Sequence, residues 1–227
     1  LVEMKTGADP HSYAQENAVV KSLAWDAEVN FEQKQISATA TWDIETKAGA
    51  EAIYFDIFDL DIEKVLVDGA EPDFSLSPVD EHLGQGLRIP ISDQAKQVSI
   101  TYKTGDNARA LQWLDAEQTA GKQKPFLFTQ SQAILARSWV PTQDSPGIRF
   151  TYTAKVKVPQ DMLALMSASN PQERNETGTY EFSMPQAIPS YLLALAVGDV
   201  YFESISDRTG VYAEASLLDT SAYEFAD

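Results

Sequence analysis

Ile148-Arg149-Phe150-Thr151-Tyr152-Thr153-Ala154-Lys155-Val156-Lys157-Val158 alternates strictly between apolar and polar side chains. Successive side chains of an extended strand point to opposite faces. Ile148, Phe150, Tyr152, Ala154, Val156 and Val158 therefore predict a row against a core, and Arg149, Thr151, Thr153, Lys155 and Lys157 a row in water. The same period recurs upstream: Trp25, Ala27, Val29 and Phe31 alternate with Asp26, Glu28 and Asn30, and after Glu32–Gln35 it resumes as Ile36, Ala38, Ala40, Trp42 and Ile44. Two half-buried strands joined in a hairpin account for that pattern. Further strands are expected at Ile53–Phe58, at Val65–Val67 before an Asp68-Gly69 turn, at Leu87–Ile91 and at Val98–Lys103. Met162–Ala168, bounded by Pro159 and by Asn170-Pro171, suits a short helix or a buried strand, and strand is preferred. With helical spacing scarce, the fold class expected is all-β, about a dozen strands with few or no helices, in a single unit over residues 1–227.

Composition narrows the function. The 227 residues carry 34 acidic and 17 basic side chains, a formal net charge of −17. Such a field repels phosphates, so no nucleic acid partner is expected. The absence of cysteine removes disulfides, thiolate nucleophiles and cysteine-based metal sites. The longest apolar stretch, Tyr191–Val197, is too short to span a bilayer, and Leu1–Pro10 lacks the basic start and apolar run of a secretion signal.

Catalytic constellations are sparse. The two histidines, His11 and His82, lie far apart in sequence and read as exposed loop residues, not ligands. Asp56, Asp59, Asp61 and Glu63 form an acidic group, but they lack the glycine and closing glutamate of a calcium loop and read as solvated strand edges. No Gly-x-Ser-x-Gly and no glycine-rich phosphate loop is present. From the residues alone the chain is an acidic β-domain without an active site of its own. A freestanding β-sandwich module binding carbohydrate or a protein partner is then the alternative to carry; Trp25, Trp42, Trp113 and Trp139 are candidates for sugar stacking, although Trp25 and Trp42 sit on apolar strand faces and read as core.

A series of separated motifs adds a second line. Ala110-Leu111-Gln112-Trp113-Leu114, Glu117-Gln118-Thr119 and Phe126-Leu127-Phe128-Thr129-Gln130-Ser131-Gln132-Ala133-Ile134 come first. Pro141-Thr142-Gln143-Asp144-Ser145-Pro146, Leu165-Met166-Ser167-Ala168, Tyr191-Leu192 with Ala196-Val197-Gly198, and Ser221-Ala222-Tyr223-Glu224-Phe225 follow. In this order they resemble the N-terminal domain of the leukotriene A4 hydrolase-like branch of M1 zinc aminopeptidases. The resemblance implies a saddle-shaped domain with one large mixed or antiparallel sheet and smaller accessory sheets, packed on a zinc catalytic domain and followed by a helical C-terminal domain. Neither Gly-x-Met-Glu-Asn nor His-Glu-x-x-His occurs here, so zinc is expected only in the absent catalytic domain, none in this chain, and residues 220–227 as the start of the connection to it. The parent would be a zinc aminopeptidase removing N-terminal residues from peptides, and this chain alone would be inactive. Its own catalytic and C-terminal domains and a peptide N-terminus are the implied partners, in the cytoplasm or, for an exported bacterial protein, the periplasm.

The resemblance also implies a substrate-binding set. Gln132 would help hold the free amine, the backbone near Ala133 would contact substrate, and Gln130 would line the first side-chain pocket. In an extended segment Gln130 and Gln132 project from one face and reach one cleft; the plainer alternative is that both amides pair with loop backbone. An amide offers an acceptor and two donors without charge, which suits an amine and a peptide backbone. Gln143 carries no comparable implied role, so its replacement by Ala is expected to be near neutral. Apolar surface for docking is expected in Gln130–Val140 and near Tyr223 and Phe225.

Overall fold

The computed structural model describes residues 1–226. β1 (Ala18–Asn30) and β2 (Gln35–Thr46) form the expected hairpin, with Trp25 opposite Ala40 and Leu23 opposite Trp42. β3 (Ala52–Ile57), β4 (Leu60–Val67), β5 (Ser75–Leu76), β6 (Gln85–Pro90) and β7 (Gln97–Thr104) follow. The Asp68-Gly69 turn closes β4 through reciprocal Val67–Ala70 backbone bonds of 2.7 and 2.9 Å. Both turn residues have positive φ, 47° and 84°, a conformation glycine and aspartate tolerate best. Next come β8 (Leu111–Leu114), β9 (Phe126–Thr129), β10 (Arg149–Lys157), β11 (Leu163–Met166), β12 (Thr179–Pro189), β13 (Leu195–Gly198), β14 (Val200–Ser204), β15 (Gly210–Glu214) and one short helix, α1 (Leu218–Glu224).

The strands make one large mixed sheet and three smaller ones. The six-stranded sheet runs β12-β10-β1-β2-β7-β4, and only its β1–β10 pair is parallel. That pairing brings together the two most regular alternations of the sequence, with Leu23 beside Tyr152, Trp25 beside Ala154 and Ala27 beside Val156. All six of those side chains are buried, while Thr153, Lys155 and Lys157 alternate outward, as the period of two requires. Sheets β11-β13-β9-β8 and β3-β6-β5 contribute to the same apolar core through Leu195, Val197, Leu127, Ile53, Phe55 and Leu87. The hairpin β14–β15 and α1 pack together at the C-terminal end. Met162–Ala168 is settled as strand: β11 pairs antiparallel with β13, and Leu163, Ala164 and Met166 are buried.

Four aromatic residues organise the centre. Trp25 and Trp139 meet edge to face at 5.3 Å, and Trp42 meets Phe150 likewise at 4.9 Å. Every buried indole N–H among them is satisfied: Trp25 Nε1 donates to the Tyr102 hydroxyl at 2.8 Å, Trp42 Nε1 to the Pro141 carbonyl at 3.0 Å, and Trp139 Nε1 to Ser131 Oγ at 3.0 Å. Trp113 packs edge to face on Phe31 at 5.4 Å. Core packing thus accounts for Trp25, Trp42 and Trp139.

Candidate functional site

Gln130, Gln132 and Ala133 follow β9 directly. β9 is held on one side by β13 and on the other by β8, and the ladder ends where Gln130 N–H donates to the Ala110 carbonyl at 2.9 Å. Beyond Ser131 the chain turns. Leu135 N–H returns to the Ser131 carbonyl at 2.9 Å, closing a turn over Gln132–Leu135, and Ala136–Ser138 continue as a single 3-10 turn. The Gln132–Ala133 peptide is cis.

Gln130 and Gln132 are exposed on either side of buried Ser131, the alternation expected of an extended segment, but their amides are engaged differently. Gln130 Oε1 accepts the Gln132 backbone N–H at 3.0 Å, which ties this amide to its own loop. Gln132 has no side-chain hydrogen bond among the described residues. Gln130, Gln132 and Ala133 are all exposed, and between them Ser131 is buried. The three expected residues are therefore neighbours on an exposed turn, one amide engaged by its own loop and one free.

Beneath the turn lies a buried polar network that sequence reasoning missed. Arg137 is 1% exposed; its Nε donates to Asp144 Oδ2 at 3.1 Å, its Nη1 to the Leu83 carbonyl at 2.9 Å and its Nη2 to the His11 carbonyl at 2.6 Å. Asp56 completes the group. It sits 3.8 Å from Arg137 Nη1 and accepts from Ser12 Oγ at 2.5 Å, Tyr13 N at 2.7 Å and Asp144 N at 2.8 Å. Its complete burial pushes its carboxyl above the usual range, opposed by the Arg137 charge and by those three donors. Asp56 is thus no solvated strand edge: β3 is covered on both faces and bridges Thr142 through two backbone bonds. Asp59, Asp61 and Glu63 are exposed, as expected of the other members of that group.

Gln143 also departs from its expected loop setting. It is 0% exposed; its Oε1 accepts from Val20 N at 2.9 Å, and its Nε2 donates to the carbonyls of Ala18 at 3.0 Å and Tyr54 at 3.1 Å. The amide caps the start of β1 and ties it to β3.

Among the described residues no group of three His, Asp or Glu side chains could hold a metal ion. His11 and His82 are both exposed. A concavity of about 1260 Å³ lies on the hydroxyl-rich outer side of the six-stranded sheet around Thr39, Thr101 and Thr153, and does not include the Gln130–Ala133 turn. No helix among the described residues is long and apolar enough to cross a membrane.

Comparison with known proteins bears on all of this. Residues 9–192 match the family model of the Peptidase M1 N-terminal domain. The chain is 38% identical over 232 residues to leukotriene A-4 hydrolase of Xenopus laevis, covering 97% of this chain and 38% of that protein. Over 161 residues it is 38% identical to aminopeptidase B of Homo sapiens, covering 69% of this chain and 24% of that protein. Among solved structures, leukotriene A4 hydrolase from Saccharomyces cerevisiae superposes with a TM-score of 0.87 at 30% identity, over 96% of this chain and 35% of that one. The M1 zinc metallopeptidase of Deinococcus radiodurans shares the fold, with a TM-score of 0.63 at 16% identity over 88% of this chain and 47% of that one. The chain spans little more than a third of the length of the frog relative. None of these findings supports the freestanding-module alternative.

Proposed function

The chain belongs to the Peptidase M1 N-terminal domain family, and from that premise we propose that it is the non-catalytic N-terminal domain of a zinc aminopeptidase, which holds the free amino end of a peptide substrate. The observation that carries this reading is the exposed turn Gln130–Ala133, where the Gln132 amide is free of internal partners while the backbone around it is pinned. A neutral amide oxygen accepts from an α-ammonium group, and the neighbouring backbone offers further polar contacts, without the desolvation cost of a second charge. Anchoring the amine at a fixed place sets how far the chain extends beyond it, which is how one residue at a time comes to be removed. A zinc ion would polarise the scissile carbonyl in such an enzyme; with no ligand set among the described residues, it belongs in this reading to the catalytic domain.

The test is Gln132→Ala in the parent enzyme. A hydrogen bond to a charged group is worth on the order of 1.5–3 kcal/mol, so kcat/KM falls roughly ten- to a hundredfold at unchanged thermal stability and zinc content. Gln132→Glu is milder, since a carboxylate still accepts from the ammonium. Equal kinetics for wild type and Gln132→Ala would make the glutamine a bystander.

A further inference from the structure

Two sets of hydrogen bonds, joined through Trp139, form a relay from the large sheet to the exposed turn. Trp25 Nε1 on β1 donates to the Tyr102 hydroxyl on β7 at 2.8 Å, and that hydroxyl donates to the Trp139 backbone carbonyl at 2.7 Å. From the same residue, Trp139 Nε1 donates to Ser131 Oγ at 3.0 Å, and Ser131 Oγ donates to the Leu193 carbonyl at 3.0 Å. Trp139 is fully buried and Ser131 is 3% exposed, so neither group can exchange its partner for water. The serine hydroxyl has one proton to give and lone pairs to receive, and both roles are used.

Ser131 stands between Gln130 and Gln132. Its Oγ fixes it laterally to Trp139 and to the segment entering β13, and its carbonyl accepts the Leu135 N–H that closes the turn. Gln132 then has its backbone N–H locked by Gln130 Oε1, and its exposed side chain has no hydrogen-bond partner among the described residues. Sequence reading selects the two glutamines and passes over the serine, whose small side chain faces inward.

We infer that Ser131 is a positioning residue for the amino-end site: its hydroxyl, clamped between the Trp139 indole and the Leu193 carbonyl, holds the turn in the one geometry that presents Gln132. The inference rests on the proposed role of Gln132 and adds the device that makes that role possible. Binding groups lose effect when displaced by fractions of an ångström to an ångström, so the clamp matters as much as the amide it serves.

The experiment is a double-mutant cycle in the parent enzyme, hydrolysing a free tripeptide, with KM and kcat read separately. Ser131→Ala is expected to raise KM roughly tenfold with a smaller effect on kcat. Ser131→Cys, of similar size and with a weak donor and acceptor, recovers part of the loss and serves if Ser131→Ala folds poorly. The double variant Ser131→Ala/Gln132→Ala is expected to be no worse than Gln132→Ala alone within about twofold, because the serine acts through the glutamine. Thr104→Val is the stability control: Thr104 is 2% exposed and its hydroxyl accepts from Ile36 N at 3.0 Å outside the relay, so its loss lowers Tm comparably while leaving KM unchanged. Wild-type kinetics for Ser131→Ala, a fully additive double variant, or the same KM rise in Thr104→Val would each overturn the inference while leaving the Gln132 reading intact. Wild-type kinetics for Gln132→Ala would instead remove the reading itself, and the inference with it.

Discussion

Arg137 Nε donates to Asp144 Oδ2 at 3.1 Å in a part of the core where neither side chain is more than 1% exposed. The pair stitches together segments remote in sequence: Asp144 also accepts from Ser190 Oγ at 2.5 Å, and Arg137 reaches the carbonyls of His11 and Leu83. Replacing Arg137 by Met leaves two buried carboxylates without their cation, and breaking a buried pair from one side costs about 3–5 kcal/mol. Arg137→Met is therefore expected to remove a large part of the domain's stability in urea titration, with Arg137→Lys less severe because it keeps the charge but not the fork. A loss below about 1 kcal/mol for Arg137→Met would mean that the network contributes little to the fold.

Gln143→Ala is expected to destabilise, against the neutral outcome its loop position suggested. The substitution strands the Val20 N–H and the carbonyls of Ala18 and Tyr54 in a sealed site. At about 1–3 kcal/mol for a buried group left unsatisfied, the loss is on the order of several kcal/mol, and the melting temperature falls measurably. Gln143→Glu is also unfavourable, since the two carbonyls then face a carboxylate that cannot donate to them. An unchanged melting curve for Gln143→Ala would contradict the hydrogen-bond assignment.

What the sequence made legible follows from how local each cause is. Period-two alternation is local, so β1, β2, β7 and β10 could be read with their inward faces, and Trp25 and Trp42 could be assigned to the core. The parallel β1–β10 pairing is not local, because nothing in either strand names its partner. Asp56 and Gln143 look like surface residues for the same reason: each is neutralised or satisfied by groups far along the chain, Arg137 in one case and Ala18, Val20 and Tyr54 in the other. In the site, the ordered motifs singled out Gln130, Gln132 and Ala133, but the turn stayed hidden. Thr129-Gln130-Ser131-Gln132 holds no proline or glycine to announce a reversal, and the partners of the buried Ser131 hydroxyl, Trp139 and Leu193, lie farther along the chain.

Asp9 sets an acid limit on the N-terminal segment. Burial opposes its ionisation, but donors outweigh that: Ser145 Oγ at 2.6 Å, His11 N at 2.9 Å and the His11 ring hold its carboxyl below the usual 3.8. A depressed folded-state pKa contributes stability that is present above about pH 4 and lost as pH falls through the lowered value. The gap in stability between wild type and Asp9→Ala should shrink as pH falls below 3.8. Denaturation curves at a series of pH values check this, and a gap that widened toward acid would reverse the assigned sign.

The apolar surface is distributed differently from the expectation that Gln130–Val140 and the C-terminal aromatics would share it. Ala136 to Val140 are buried within the domain, so that part of the segment belongs to the core. Tyr223 and Phe225 are 81% and 71% exposed, and Phe128 and Leu192, at 39% and 49%, flank the Gln130–Ala133 turn. Phe128 also lies in one cross-strand row with Gln112, Ala196 and Leu165, and the Phe126 ring lies so close over Gly198 that a β-carbon there would come within 2.1 Å of it. Phe128 and Leu192 leave apolar side chains open to solvent near the turn, and exposed apolar surface favours association. The isolated chain is accordingly expected to bind a hydrophobic dye and to self-associate as its concentration rises in sedimentation velocity, with Phe128→Lys and Leu192→Lys together reducing both. A chain that stays monomeric at high concentration, binds no dye and is indifferent to those two substitutions would leave this surface without a docking role.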